Sequence, residues 1–180
     1  MKYDVIIIGA GPGGIFSAYE LMKKRPDLTV AVFEEGHRLE ERHCSIDGER
    51  VKSCVNCPTC AIMNGFGGAG AFSDGKYNIT NDFGGTLYEY IGRKEALELM
   101  RYVDGINVSH GGEGTKMYST AGTNLKKICM QNKLKLLDAS VRHLGTDINY
   151  VVLGNLYREL KEHIEFHFDT SVEHLEVTDQ

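Results

Sequence analysis

Four cysteines fall close together in this chain: Cys44, Cys54, Cys57 and Cys60, with nine, two and two residues between them and Pro58 directly after Cys57. A CxxCxxC run with a fourth cysteine nearby can gather its thiolates around one iron–sulfur cluster. The same four side chains can make a tetrahedral zinc site, although structural zinc more often takes two separated CxxC pairs. One CxxC can instead be a redox disulfide. Four free thiols in a loop explain the spacing equally well, and spacing alone does not choose among these uses. His43 adjoins Cys44 and reads as a surface histidine; Cys129, beside Ile128 in a helical pattern, reads as a small buried residue.

A second constellation lies at the N-terminus. Gly9-Ala10-Gly11-Pro12-Gly13-Gly14 contains GxGxxG, a weak signal by itself in a chain with 21 glycines. Its setting gives each glycine a task. Gly9 turns the chain off a strand, Gly11 removes the Cβ that would keep a pyrophosphate from the backbone, and Gly14 lets a helix pack close to a sheet. The helix start then offers free N–H groups and a positive dipole end to phosphates. Twenty residues after Gly14 stands Glu34, whose carboxylate can accept hydrogen bonds from both ribose hydroxyls and disfavours a 2′-phosphate. Gly9, Gly11, Pro12, Gly13, Gly14 and Glu34 are thus candidate cofactor-binding residues.

Elements that would position these groups can be read on either side. Residues 3–8 (YDVIII), β-branched and apolar from Val5 onward, are expected to be a fully buried central parallel strand. A helix follows from about Gly13 to Lys24, with Ile15, Ala18, Tyr19 and Met22 at helical spacing, and residues 28–34 return as a strand. Strand, turn, helix and strand in this order make a right-handed βαβ unit. From Gly36 to Gly85 periodicity disappears; an irregular run of this length in a compact domain is functional or disordered, and its aromatic residues argue against disorder. Further helices are expected in the second half of 87–106, over 121–132 and from Asp147 to His163, where Ile148, Val152, Leu156, Leu160 and Ile164 recur every four residues, with Thr146 or Asp147 as cap. Strands are expected at 134–137 and 164–168, and 174–177 begins a further element.

Composition narrows the function classes. With 180 residues the chain has room for one compact domain, and a net charge of −5 without a basic stripe leaves no footprint for nucleic acid. No apolar run reaches a membrane span. Val5–Ile8 is too short for a signal-peptide core, and five cysteines without an export signal suit thiols, metal or redox use, so a cytoplasmic protein is expected.

The stretches YDVIIIGAGPGG and VAVFEEG resemble the N-terminus of the glutathione-reductase-like flavoproteins of the FAD/NAD(P)-binding superfamily. Residues 65–76, GFGGAGAFSDGK, resemble the signature of a narrower group, the uncharacterised FAD-dependent dehydrogenases of bacteria; His143-Leu144-Gly145-Thr146-Asp147 and the final EFHFDTSVEHLEV are similar to that group as well. The resemblance implies that Gly67, Gly68, Gly70, Ser73 and Lys76 lie near the flavin or its pyrophosphate, and that the backbone of Val172 meets the adenine. It also implies an arginine, Arg38 or Arg42, against the pyrophosphate; Arg42 is kept as a candidate, although a plain surface charge explains it equally well. Those flavoproteins are more than twice this length, so the chain resembles an N-terminal portion, truncated before the segments that close around a flavin.

The expected fold is α/β, a Rossmann-like FAD/NAD(P)-binding domain with a parallel sheet. Its expected parts are a core from 1–40 and 146–180, a Cys/Gly-rich cofactor loop over 41–85, and an inserted, mainly helical segment over 86–145. The expected function is an FAD-dependent oxidoreductase, with a small-molecule substrate or NAD(P)H as its partner. His143 could serve as acid, base or anion ligand in a substrate cleft, or simply fix the turn. The alternatives are a non-catalytic nucleotide-binding module with cysteine-ligated zinc or iron–sulfur, and an NAD-binding dehydrogenase half.

Overall fold

A computed structural model describes residues 2–178. The chain divides into two units, residues 1–72 with 153–180 and residues 73–152. The fold is α/β: one unit carries a parallel sheet and the other an antiparallel one.

In the first unit, β1 (Val5–Ile8), β2 (Val30–Phe33) and β6 (Glu165–His167) form a parallel sheet in the order β1-β2-β6. Val5 pairs with Val30 and Ile8 with Phe33, while Ala31 pairs with Glu165 on the other side of β2. The middle strand is the buried one: Val30, Ala31 and Val32 are all enclosed. β1 differs from expectation. Among the described residues it pairs with β2 alone, and Ile6 and Ile8 are each 54% exposed, because a strand at a sheet edge can bury one face without the other.

Helix α1 (Pro12–Lys24) connects β1 to β2 and turns Ile15, Ala18 and Met22 inward. It starts with Pro12, whose missing N–H is no loss in a first turn, and ends with Lys23 and Lys24 at the negative end of its dipole. Helix α5 (Gly145–Leu160) runs across the boundary between the units; in the first unit it buries Leu156 and Leu160, and Ile164 follows them. Phe66, completely enclosed, lies edge-on to Tyr157 of α5 and Phe166 of β6, with ring centroids 5.0 and 5.8 Å away. That aromatic cluster ties the irregular segment into the core.

In the second unit, β3 (Lys76–Ile79), β4 (Met117–Ser119) and β5 (Ser140–His143) pair antiparallel in the order β3-β5-β4. Three helices accompany them: α2 (Leu87–Ile91), α3 (Arg93–Asn107) and α4 (Leu125–Gln131). Asp104 of α3 holds Arg142 of β5 through paired bonds of 2.7 and 2.9 Å, which keeps the Arg142 guanidinium above its ordinary pKa.

Three local expectations are corrected. Residues 134–137 are not a strand; β5 starts at Ser140, where cross-strand partners exist in β3 and β4, and Leu134 and Leu137 stay exposed. Residues 174–177 form no regular element. Helix α5 starts at Gly145, so Thr146 and Asp147 belong to its first turn, and the Thr146 hydroxyl donates to the Ser73 carbonyl at 3.1 Å.

Candidate functional site

The C-terminal ends of β1 and β2 open onto a cleft of about 350 Å³ in the first unit. Four stretches of chain wall it: the turn at Gly9 and Gly11, the acids at Glu34 and Glu35, the loop from Met63 to Gly68, and Thr170–Val172 after β6. Ligands of open parallel sheets settle at such strand ends.

The turn is built as its residue types require. A Cβ added to Gly14 would overlap the carbonyl oxygen of Gly9 and lie 3.3 Å from Ile7 Cγ2, so only glycine lets α1 sit this close to β1. Above Gly11 the space is open: a Cβ there would meet nothing within 4 Å. Gly11 caps the helix with extended backbone and no side-chain bond, leaving the first-turn N–H groups for an anion.

Glu34 is buried, and its carboxylate binds backbone from three segments. Oε2 accepts from the Ala10 N–H at 2.6 Å, and Oε1 accepts from Gly36 at 2.9 Å and Gly65 at 2.8 Å. A carboxylate offers about four lone-pair directions. Three bonds therefore leave it acceptor capacity for roughly one more donor from the cleft. Glu35 is exposed beside it.

Arg42 is the largest fully enclosed side chain, and its partners are all carbonyls. Nε donates to Ala61 at 2.9 Å, Nη2 to Ile62 at 2.9 Å, and Nη1 to Phe66 at 2.6 Å and Gly68 at 2.9 Å. Its guanidinium also lies over the Phe72 ring, 4.9 Å from the centroid. Burial lowers its pKa from the ordinary value, while the Glu34 carboxylate and Cys60 act in the opposite direction. Gly65 closes against this arginine: it adopts φ +111°, and a Cβ on it would lie 2.5 Å from the His37 carbonyl and 2.7 Å from Arg42 Cδ.

The residues singled out from the sequence are thus distributed unevenly. Gly9, Gly11, Glu34, Gly68 and Val172 line the cleft together. Gly14 lies beneath the turn, Pro12 and Gly13 are exposed at its helix side, Gly67 is buried behind the second loop and Gly70 is exposed. Arg42 binds the loop from within. Ser73 and Lys76 belong to the second unit, where Lys76 pairs with Asp74 at 2.6 Å and so holds the Asp74 carboxyl below its usual range.

Cys44, Cys54, Cys57 and Cys60 line one cavity of about 260 Å³, also in the first unit. All are free thiols; Cys60 is half-buried and the other three exposed. Cys129, expected to be buried, is half-exposed on α4, which buries no residue. His143 is exposed at the end of β5.

One grouping went unnoticed in the sequence: His37, Glu41 and Asp169 bring ligand atoms within 4.8 Å of one another. His37 pairs with Asp169, and Glu41 with Arg38 at 3.5 Å. Only the spacing of His37 and Glu41 is visible in sequence, since Asp169 arrives from the far side of β6.

Comparison with known proteins locates the likeness in the first βαβ unit. Residues 1–40 match the Thi4 family. Thiamine thiazole synthases of Yarrowia lipolytica and Phaeosphaeria nodorum are each 58% identical over 33 residues, 18% of this chain and 10% of theirs. The chain thus matches about a tenth of the length of these curated relatives. Among solved structures, L-amino acid deaminase from Proteus myxofaciens in complex with anthranilate is 15% identical, with 98% of this chain and 40% of that one covered at a TM-score of 0.39. The Proteus vulgaris enzyme lacking its specific insertion sequence is 13% identical, with 98% and 47% covered at 0.44.

Proposed function

We propose that this chain is the FAD-binding portion of a flavin-dependent oxidoreductase. The observation that carries the reading is the cleft at the ends of β1 and β2, where Gly9, Gly11, Glu34, Gly68 and Val172 converge from four separate stretches. The open space over Gly11 admits a pyrophosphate, and the α1 N-terminus supplies N–H donors and dipole to hold it. Glu34, held by three backbone bonds, offers its remaining acceptor capacity to a ribose hydroxyl. Val172 offers backbone to the adenine.

A second glycine loop on the same cleft favours FAD over NAD. A Cβ at Gly68 would approach Gly11 Cα to 3.2 Å, so the two loops border a single site and both present backbone to it. The matched Thi4 family and the resemblance of residues 65–76 to FAD-dependent dehydrogenases support a flavoenzyme. Gly67 and Gly70 then shape the second loop, and Ser73 and Lys76 follow it on the chain. Bound FAD supplies the redox chemistry, exchanging a hydride or electrons with a small-molecule substrate or NAD(P)H. The protein's own groups bind and orient it. Five free cysteines suit a reducing, cytoplasmic setting, and among the described residues no helix is long and apolar enough to cross a membrane.

An absorption spectrum of the isolated protein tests the reading. The two-band flavin spectrum, present on isolation or gained on adding FAD, is the expected result. Protein with no flavin absorbance and no binding of added FAD overturns it. Metal without flavin in the same sample favours the alternative, a non-catalytic nucleotide-binding module with a cysteine-ligated metal; the shared cavity of the four cysteines is the observation behind that alternative.

A further inference from the structure

We infer that Cys44, Cys54, Cys57 and Cys60 ligate a cubane-type iron–sulfur cluster. The inference stands apart from the flavin reading, because it rests on a different cavity. Two segments distant along the loop bring their thiols to the same 260 Å³ space. Three cysteines from one CxxCxxC run plus one from outside it is a spacing suited to four-thiolate ligation of such a cluster.

The spread of the sulfurs suits a polynuclear cluster better than a single ion. A tetrahedral zinc site with Zn–S bonds of about 2.3 Å places its sulfurs roughly 3.8 Å apart. Here no three of the four sulfurs lie within 4.8 Å of one another. Thiolates at the corners of a polynuclear cluster stand outside its iron and sulfide core and are correspondingly farther apart. The cavity lies between them and is lined as well by Ile46, Val55 and Ile62, apolar side chains that set the polarity around a cluster.

Backbone N–H groups reach two of the sulfurs, and the Cys54 thiol also donates to Asn56 Oδ1 at 3.7 Å. The Ile46 N–H approaches Cys44 Sγ at 3.5 Å and the Asn56 N–H approaches Cys54 Sγ at 3.4 Å, each from two residues downstream. N–H donors at a ligand sulfur stabilise its thiolate and tune the cluster potential. Asn56 holds φ +52°, a left-handed conformation that costs a non-glycine residue energy and keeps this turn closed. Arg42 fixes the other end of the run by binding the carbonyls of Ala61 and Ile62, the two residues after Cys60. Ligation releases a proton from each of the four thiols as its iron–sulfur bond forms, so assembly is favoured at higher pH.

The test is anaerobic reconstitution of the full chain with sulfide and equal amounts of ferrous and ferric iron, the mixture whose charge balances the cluster without a further oxidant, followed by desalting. About four iron and four acid-labile sulfide per chain are expected, with an electron paramagnetic resonance signal after dithionite reduction. Fully reduced flavin is silent in that measurement, so the result does not depend on whether FAD binds. Cys44→Ser and Cys57→Ser should each lower retained iron at least about tenfold, as loss of one of four thiolate ligands would. Both side chains are exposed, and unchanged circular dichroism and melting separate lost ligation from lost folding. Cys129→Ser should retain the full complement. Iron removed by desalting overturns the inference. So does one tightly held zinc without sulfide, or a disulfide among the four in anaerobically prepared protein.

Discussion

The two glycine-rich loops of the cleft use the same residue for opposite reasons. In the turn at 9–14, Gly11 faces open space, and a side chain there would meet no protein atom within 4 Å. In the loop at 65–68, Gly65 is hemmed in by protein, with the His37 carbonyl and the Arg42 stem where its Cβ would be. One loop borders open space, whereas the other is shaped by partners it already has. A glycine count in the sequence treats them alike, and the surroundings of the missing Cβ tell them apart.

Substitutions should break that symmetry in a graded way. Gly65→Ala combines a left-handed backbone with two close contacts and should cost about 3–5 kcal/mol of stability in chemical denaturation. Arg42→Met leaves four carbonyls without their donor and should cost about 3 kcal/mol or more, with FAD binding weakened in the same titration because the second loop loosens. In Glu34→Gln an amide NH₂ faces at least one backbone N–H that the carboxylate satisfied, for a loss of roughly 1–3 kcal/mol by the same assay. Gly11→Ala sharpens the contrast most. Its extended backbone and open surroundings predict a stability change within about 0.5 kcal/mol, while FAD affinity measured by fluorescence quenching should fall at least about tenfold, near 1.4 kcal/mol. A Gly11→Ala protein that binds FAD normally would remove the ligand-facing role of the first loop.

How much could be read from sequence follows the range of the interactions. The β1–α1–β2 unit was legible because its parts are neighbours along the chain and each glycine task is local. Ile148, Val152, Leu156, Leu160 and Ile164 announced α5 by period alone. Strands β3 and β4 went unforeseen, since three or four mixed residues carry little period and depend on partners far away in β5. The leucine-rich stretch 134–137 suggests a strand for the same reason, but pairing, not hydrophobicity, decides where β5 begins. Val5–Ile8 suggested a buried strand, but position in the sheet sets burial, and β1 lies at an edge. Arg42 was singled out as a charge for a pyrophosphate. Its four carbonyl partners lie 19 to 26 residues downstream, and no local pattern signals such a convergence.

The bonds of Glu34 also bear on the order in which the cleft assembles. Its contact with Gly36 closes two residues, whereas its contacts with Ala10 and Gly65 close 24 and 31. The entropy of loop closure grows with the length enclosed, so short-range contacts are reached first. The local bond of the acid to Gly36 is therefore expected to form before the longer closures that tie it to the turn and, last and longest, to the second loop. In thermal fluctuations the sequence reverses: the long-range tie opens at lower free energy, and the amide of Gly65 should exchange its hydrogen sooner than those of β2. A ligand that bridges both loops would slow that exchange, acting as a clamp on the last joint to form.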